Sequence, residues 1–222
     1  MDNHYPTQTA HMMAKDAPPV PAAAPRPESL VVNQTIYITG TFRVGISWDT
    51  SSRGMGGLLG RFSRKVGTDL DLLAIACRAD GEPVRMAGLD NLDPFKDGSM
   101  THSGDNQSGH GEGDDESVLV YLDRIPAQVD SIVFMASAYK RASSFGAADN
   151  VAFKVYGDTV SPTPFGEYWP SLRNAGTNNA CMIARIARDP DGIHWGLTML
   201  EKMTHITQGN KDSVLTAAMR AR

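Results

Sequence analysis

The chain has 222 residues, 41% of them hydrophobic and 21% charged, enough for one well-cored domain with extensions and too few for two substantial ones. No apolar run approaches the roughly 18 residues of a membrane-spanning helix. The net charge of −4 is unevenly spread: from Asp90 to Glu116 eight carboxylates stand against Lys96 alone, a local charge of −7 that leaves about +3 on the rest. Such a segment repels nucleic acid and attracts cations.

Residues 1–28 are rich in Pro and Ala, and APPVPAAAPRP favours an extended, coreless conformation, so this stretch reads as a disordered tail. Acidic Asp2 and the lack of a continuous apolar segment before the prolines do not match a secretory leader, and a cytoplasmic location is expected. From Ser29 the pattern becomes that of strands. SLVVNQTIYI comes first, and then Phe42, Val44, Ile46 and Trp48 alternate with Arg43, Gly45 and Ser47, one apolar face and one polar. After a glycine-rich basic loop, Arg53 to Lys65, come DLDLLAIAC from Asp69, SVLVYL from Ser117, SIVFMASAY from Ser131, VAFKVY from Val151, CMIARIAR from Cys181 and GIHWGLTML from Gly192. All are short, β-branched or aromatic, and bounded by turn residues.

The fold class is therefore all-β, an antiparallel β-sandwich of about eight or nine strands over residues 29–205. DLDLLAIAC and SIVFMASAY are almost continuously apolar and belong at the centre, covered on both faces. Residues 206–222 form a C-terminal tail with a short helix begun near Asp212 or Ser213. Cys77 and Cys181 lie in apolar runs without metal-ligand spacing and are expected reduced and buried.

The chemistry concentrates in GDNQSGHGEGDDE, Gly104 to Glu116. Calcium takes six to eight oxygens from a flexible backbone, and this segment offers Asp105, Asp114, Asp115 and Glu116, the amide oxygen of Asn106, and glycines that let carbonyls turn inward. So many like charges repel unless a cation compensates. Asp105 and Glu116 stand at the first and twelfth positions of a window that otherwise fails as an EF-hand: Gln107 and Gly109 take the third and fifth places and His110 the sixth. A second acidic group, Asp69 and Asp71, brackets Leu70 at the head of an apolar strand, so both carboxylates project to one side. Asp49, ending the strand of Trp48, is a weaker case because an Asp there is commonly a turn residue. His102 and His110 read as exposed loop histidines. No phosphate loop, nucleophile elbow, HExxH or CxxC is present, and none of the carboxylates shows the apolar setting that would split a catalytic pair. Nothing nominates an enzyme.

GISWD at Gly45 to Asp49, DLD at Asp69 to Asp71, LDNL at Leu89 to Leu92, the acidic stretch Asp97 to Glu116, IPAQVDSIVF at Ile125 to Phe134 and SFGAADNVAFKVY at Ser144 to Tyr156 together resemble the TerD family of tellurium-resistance and chemical-stress proteins, in order and spacing, over roughly Ser29 to Thr198. The resemblance implies a non-enzymatic calcium-binding β-sandwich. Its ligands would be drawn from Asp69, Asp71, Asp105, Asn106, Asp114, Asp115 and Glu116, with Asp49, Asn91 and Glu112 as lesser candidates and with more than one calcium ion. It also implies stress resistance and unidentified protein partners in an assembly at the inner face of the membrane. A second reading is a calcium-dependent adaptor for an anionic membrane or a protein scaffold, with Arg53, Arg61, Arg64 and Lys65 supplying attraction. Leu72 and Leu73 depart from the small residues usual after DLD in the family, and the Pro-rich tail is additional.

Overall fold

The computed structural model describes residues 27–50, 69–106, 113–138, 144–145, 148–158, 161–171 and 175–221. The basic loop Arg53 to Lys65, most of the N-terminal tail, and His110 and Glu112 lie outside the described residues. Twelve strands, one α-helix and a single 3-10 turn (Leu122–Arg124) are present among the described residues: β1 (Glu28–Ser29), β2 (Thr35–Ile38), β3 (Thr41–Thr50), β4 (Leu70–Cys77), β5 (Pro83–Ala87), β6 (Met100–His102), β7 (Glu116–Tyr121), β8 (Ser131–Ala138), β9 (Ala148–Tyr156), β10 (Gly166–Tyr168), β11 (Ala180–Arg188), β12 (Trp195–Thr204) and α1 (Lys211–Ala218).

They form two six-stranded sheets, β1-β10-β9-β3-β7-β6 and β2-β12-β11-β8-β4-β5, called here the first and second sheet. Every pairing is antiparallel except β1 with β10. The antiparallel β-sandwich expected from alternation is therefore what the chain forms. The additional strands β1, β5, β6 and β10 have two to five residues each, too few for a period of two to stand out. Glu28, assigned to the tail by composition, pairs with Gly166.

Phe42, Val44, Ile46 and Trp48 point between the sheets, each at most 2% exposed. There Phe134 packs edge-on against Phe42, ring centroids 6.1 Å apart, and in a tilted arrangement against Phe153 at 6.0 Å. Burying each such ring contributes about 2–3 kcal/mol of transfer free energy, which is why these rings fix the spacing of the sheets.

The second sheet is covered on both faces, as the continuous apolar runs of β4 and β8 require. Leu70, Leu72, Ala74 and Ala76 enter the core between the sheets, while Leu73, Ile75 and Cys77 face outward beneath Val214, Ala217 and Ala218 of α1. The helix begins one or two residues before its expected start, because Asn210 caps it by accepting the Ser213 N–H at 3.0 Å. Cys77 and Cys181 are free and buried, and they belong to opposite faces of the second sheet. No helix among the described residues is long and apolar enough to cross a membrane.

Candidate metal centre

At one end of the sandwich the ladder between β4 and β5 stops early. The two strands pair from Ala74 with Ala87 onward, so Leu72, which still lies opposite Ala136 of β8, turns its own N–H and C=O toward an edge with no strand beside it. An unpaired buried N–H or C=O costs on the order of 1–3 kcal/mol, and side chains from the first sheet supply the partners. Glu116 Oε2 accepts the Leu72 N–H at 2.7 Å, and His102 Nε2 lies 2.8 Å from the Leu72 carbonyl oxygen.

Both side chains arrive through ordinary strand alternation. Glu116 shares the inward face of β7 with Val118 and Val120, and His102 shares that of β6 with Met100. His102 Nδ1 accepts the Gly104 N–H at 3.0 Å, so Nε2 carries the proton and donates it to Leu72. Both ring nitrogens are thereby occupied, which removes this histidine from any ligand set. The expectation that His102 is an exposed loop residue is corrected: it is 6% exposed, and the three-residue β6 was too short to be read.

Around Glu116 the acidic residues converge. One carboxylate oxygen from each of Asp71, Asp105 and Glu116 lies within 4.8 Å of the other two. Asp69 and Asp71 are both buried at the head of β4, with only 4% and 5% of their surface exposed. Asp71 Oδ1 is buried with no hydrogen-bond partner. Burial, reinforced by the charges of Glu116, Asp69, Asp105 and Asp90, pushes the Asp71 carboxyl up to about 8. The sequence offered no sign of this apolar setting around Asp71.

Asp115 and Asn106 brace the cluster. A bulge in β3 between Ser47 and Asp49 sits where the Trp48 N–H donates to Asp115 Oδ2, at 3.0 Å, and the Asp115 N–H donates to the Ile46 carbonyl. Asp115 Oδ1 accepts from Asn106 Nδ2 at 3.0 Å, and the Asn106 N–H reaches Glu116 Oε1 at 3.3 Å. Burial raises the Asp115 carboxyl, against the lowering effect of the Trp48 N–H. Asn106 thus acts here as a donor that aligns two carboxylates.

Asp114 goes elsewhere. Its oxygens meet Arg43 Nη1 at 2.7 Å, Lys154 Nζ at 3.3 Å and the Tyr156 hydroxyl at 2.9 Å, and Arg43 also stacks 3.6 Å over the Tyr156 ring. A Cβ on Gly45 would lie 2.2 Å from Asp114 Cγ, so the glycine of GISWD is the notch that admits this carboxylate onto the outer face of the first sheet. Two cations and a hydroxyl already neutralise Asp114, which separates it from the other candidates. Sequence reading missed Arg43, Lys154 and Tyr156 entirely, although a glycine inside so regular a strand was a usable sign of close approach. Asp49 accepts from Asn150 Nδ2 at 2.6 Å and is exposed, and Asn91 Oδ1 accepts from Lys96 Nζ. Neither joins the three-carboxylate cluster.

A hard divalent cation fits this arrangement: among the described residues the converging donors are all carboxylate oxygens, one buried oxygen lacks a donor, and neither thiol nor available imidazole joins them.

The TerD domain family model matches residues 31–209. Tellurium resistance protein TerD of an Alcaligenes species is 31% identical over 150 residues, 65% of this chain and 72% of that protein. Tellurium resistance protein TerX of Serratia marcescens is 30% identical over 51% of this chain, and the match spans 62% of its own length. The stress response protein SCP2 of Bacillus subtilis is 31% identical over 50% of this chain and 59% of its own. A crystal structure of a homologue of the telluride resistance protein TerD from Streptomyces coelicolor A3(2) superposes with a TM-score of 0.60 over 83% of this chain and 98% of that one, and at 19% identity it shows the shared fold. With the family model matching residues 31–209, most of both sheets, the chain belongs to the TerD family.

Proposed function

We propose that this chain is a non-enzymatic calcium-binding module that serves tellurium resistance and chemical-stress response, as the names of its relatives suggest. The observation that carries the reading is the convergence of Asp71, Asp105 and Glu116 on one point beside a buried carboxylate oxygen that has no donor. Calcium is the divalent cation best suited to it, because it accepts many oxygens in irregular geometry, whereas magnesium demands a near-octahedral set at short distance. Asp69, whose charge acts on Asp71, and Asp115, tied to the cluster through Asn106, are further candidate donors. Asp114, held by Arg43 and Lys154, leaves the ligand set and becomes part of the frame.

Calorimetry on chelator-stripped protein tests this. Saturable calcium binding at micromolar to millimolar concentration is expected, lost in Asp71→Asn and Asp105→Asn and retained in Asp49→Asn. Absence of any calcium heat in that range sinks the reading.

A further inference from the structure

A cavity of about 250 Å³ opens on the outer face of the second sheet, beside the early end of the β4–β5 ladder. Leu73 and Met86 form its sheet side, and Ile206 with Val214 of α1 form the other. The opposite wall is pinned. Asn179 Nδ2 donates to the Ile206 carbonyl and Asn179 Oδ1 accepts the Ile206 N–H, at 2.9 and 2.8 Å. Gln208 donates to the Ala138 carbonyl, and the Thr207 N–H to Ser213 Oγ. Such a cavity is pre-formed, apolar along its sides, and just below the roughly 300–1,000 Å³ usual for ligand sites.

Its buried polar feature is Asp71, which lines it and is 95% removed from solvent, with Oδ1 lacking a hydrogen-bond donor. Asp90 adds a second carboxylate at the exposed rim; Lys211, also exposed there, is the one cation in the lining among the described residues. Once ionised, Asp71 is acceptor-only in an apolar slot, and an occupant that removes its cost has to bring a donor. An anionic head would meet Asp71, Asp90 and the neighbouring Asp105 and Glu116.

We infer that this cavity binds a small aliphatic amine in its ammonium form, its N–H donors on Asp71 and its carbon chain between Leu73, Met86, Ile206 and Val214. The volume limits the ligand to a single short chain such as a hexyl group. The inference goes beyond the calcium reading and stands without a metal, but the two share Asp71, so calcium and the amine compete.

The test uses n-hexylammonium, with hexanol and hexanoate as neutral and anionic counterparts, followed by methyl NMR shifts and calorimetry on the full chain in chelator at pH 9, where the Asp71 carboxyl is ionised and hexylammonium keeps its charge. Saturable millimolar or tighter binding of hexylammonium is expected, at least tenfold tighter than hexanol, with hexanoate showing none. Met86→Trp and Val214→Phe, which fill the cavity from opposite sides, should each weaken it at least tenfold while calcium binding is unchanged. Asp105→Asn, outside the cavity lining, should do the reverse, and adding calcium should displace the amine from the native chain. Equal binding of hexanol, indifference to both filling variants, or no saturation with hexylammonium overturns the inference. Because the titration is run in chelator, failure of calcium to bind would leave its outcome readable.

Discussion

The Glu116 carboxylate of the first sheet accepts the Leu72 N–H of the second at 2.7 Å, and His102 closes the same residue's carbonyl. Two side chains thereby stand where a neighbouring strand would continue the ladder. Replacing Glu116 with Ala strands the Leu72 N–H in a dry place, and removing one partner of a charged, buried hydrogen bond costs about 2–3 kcal/mol. Denaturant unfolding of Glu116→Ala in chelator is expected to show that loss, together with loss of calcium binding. An unchanged midpoint would mean that the two sheets do not depend on this contact.

Asp71 ties proton and metal together. Its carboxyl is raised from 3.8 to about 8 in the folded chain, so between those values the metal-free folded state holds a proton that the unfolded state has released. Stability from this group is therefore lost as pH climbs from 3.8 to about 8 and levels off above. A cation bound at Asp71 expels the proton, so calcium affinity should rise with pH up to about 8 and its binding heat should depend on the ionisation enthalpy of the buffer. Asp71→Asn should raise the melting temperature of the metal-free protein above pH 8 while abolishing the calcium-dependent increase. Buffer-independent heat would place the metal away from this residue.

Gly45 and Asp114 form a testable pair. A methyl group at position 45 collides with the Asp114 carboxylate, so Gly45→Ala should cost about 1–3 kcal/mol by overpacking. Asp114→Ala leaves Arg43 and Lys154 facing each other without their shared counter-ion, at a cost of similar size. In the double variant the collision is gone, so the two losses should be strongly sub-additive in a double-mutant cycle. Additive losses would show that Gly45 is constrained by something other than this carboxylate.

The thiols should be silent. Burial pushes Cys77 up to about 11 and Cys181 up to about 12, far from a reactive thiolate at neutral pH. Ellman's reagent is expected to titrate neither in the native protein and both after denaturation. Rapid modification of Cys77 alone would report that α1 lifts from the sheet.

The sandwich was legible because its long strands carry clean signals: alternation in β3 with its inner face Phe42 to Trp48, and unbroken apolarity in β4 and β8, which two covered faces demand. β5, β6 and β10 were not, since three to five residues bear too little periodicity and owe their pairing to neighbours distant in sequence. Within the site, Asp69 and Asp71 were readable from their two-residue spacing on one strand. Glu116 was named from its loop, but its partner Leu72 was not, because a backbone group left by a shortened ladder has no sequence mark. Asp114, Asp115 and Glu116 looked equivalent as a run of acids. Only the folded backbone sends the first to the outer face of one sheet, the second to the Trp48 bulge and the third between the sheets.

The notch at Gly45 also has an evolutionary reading. A strand interior ordinarily tolerates many side chains, yet here the space above one Cα is already taken by an atom group sixty-nine positions away. Among diverged members of the family the two sites should therefore change together: wherever the glycine is replaced, the first acid of the GDDE ending should be shortened or lost, and its basic partners on β3 and β9 should drift with it.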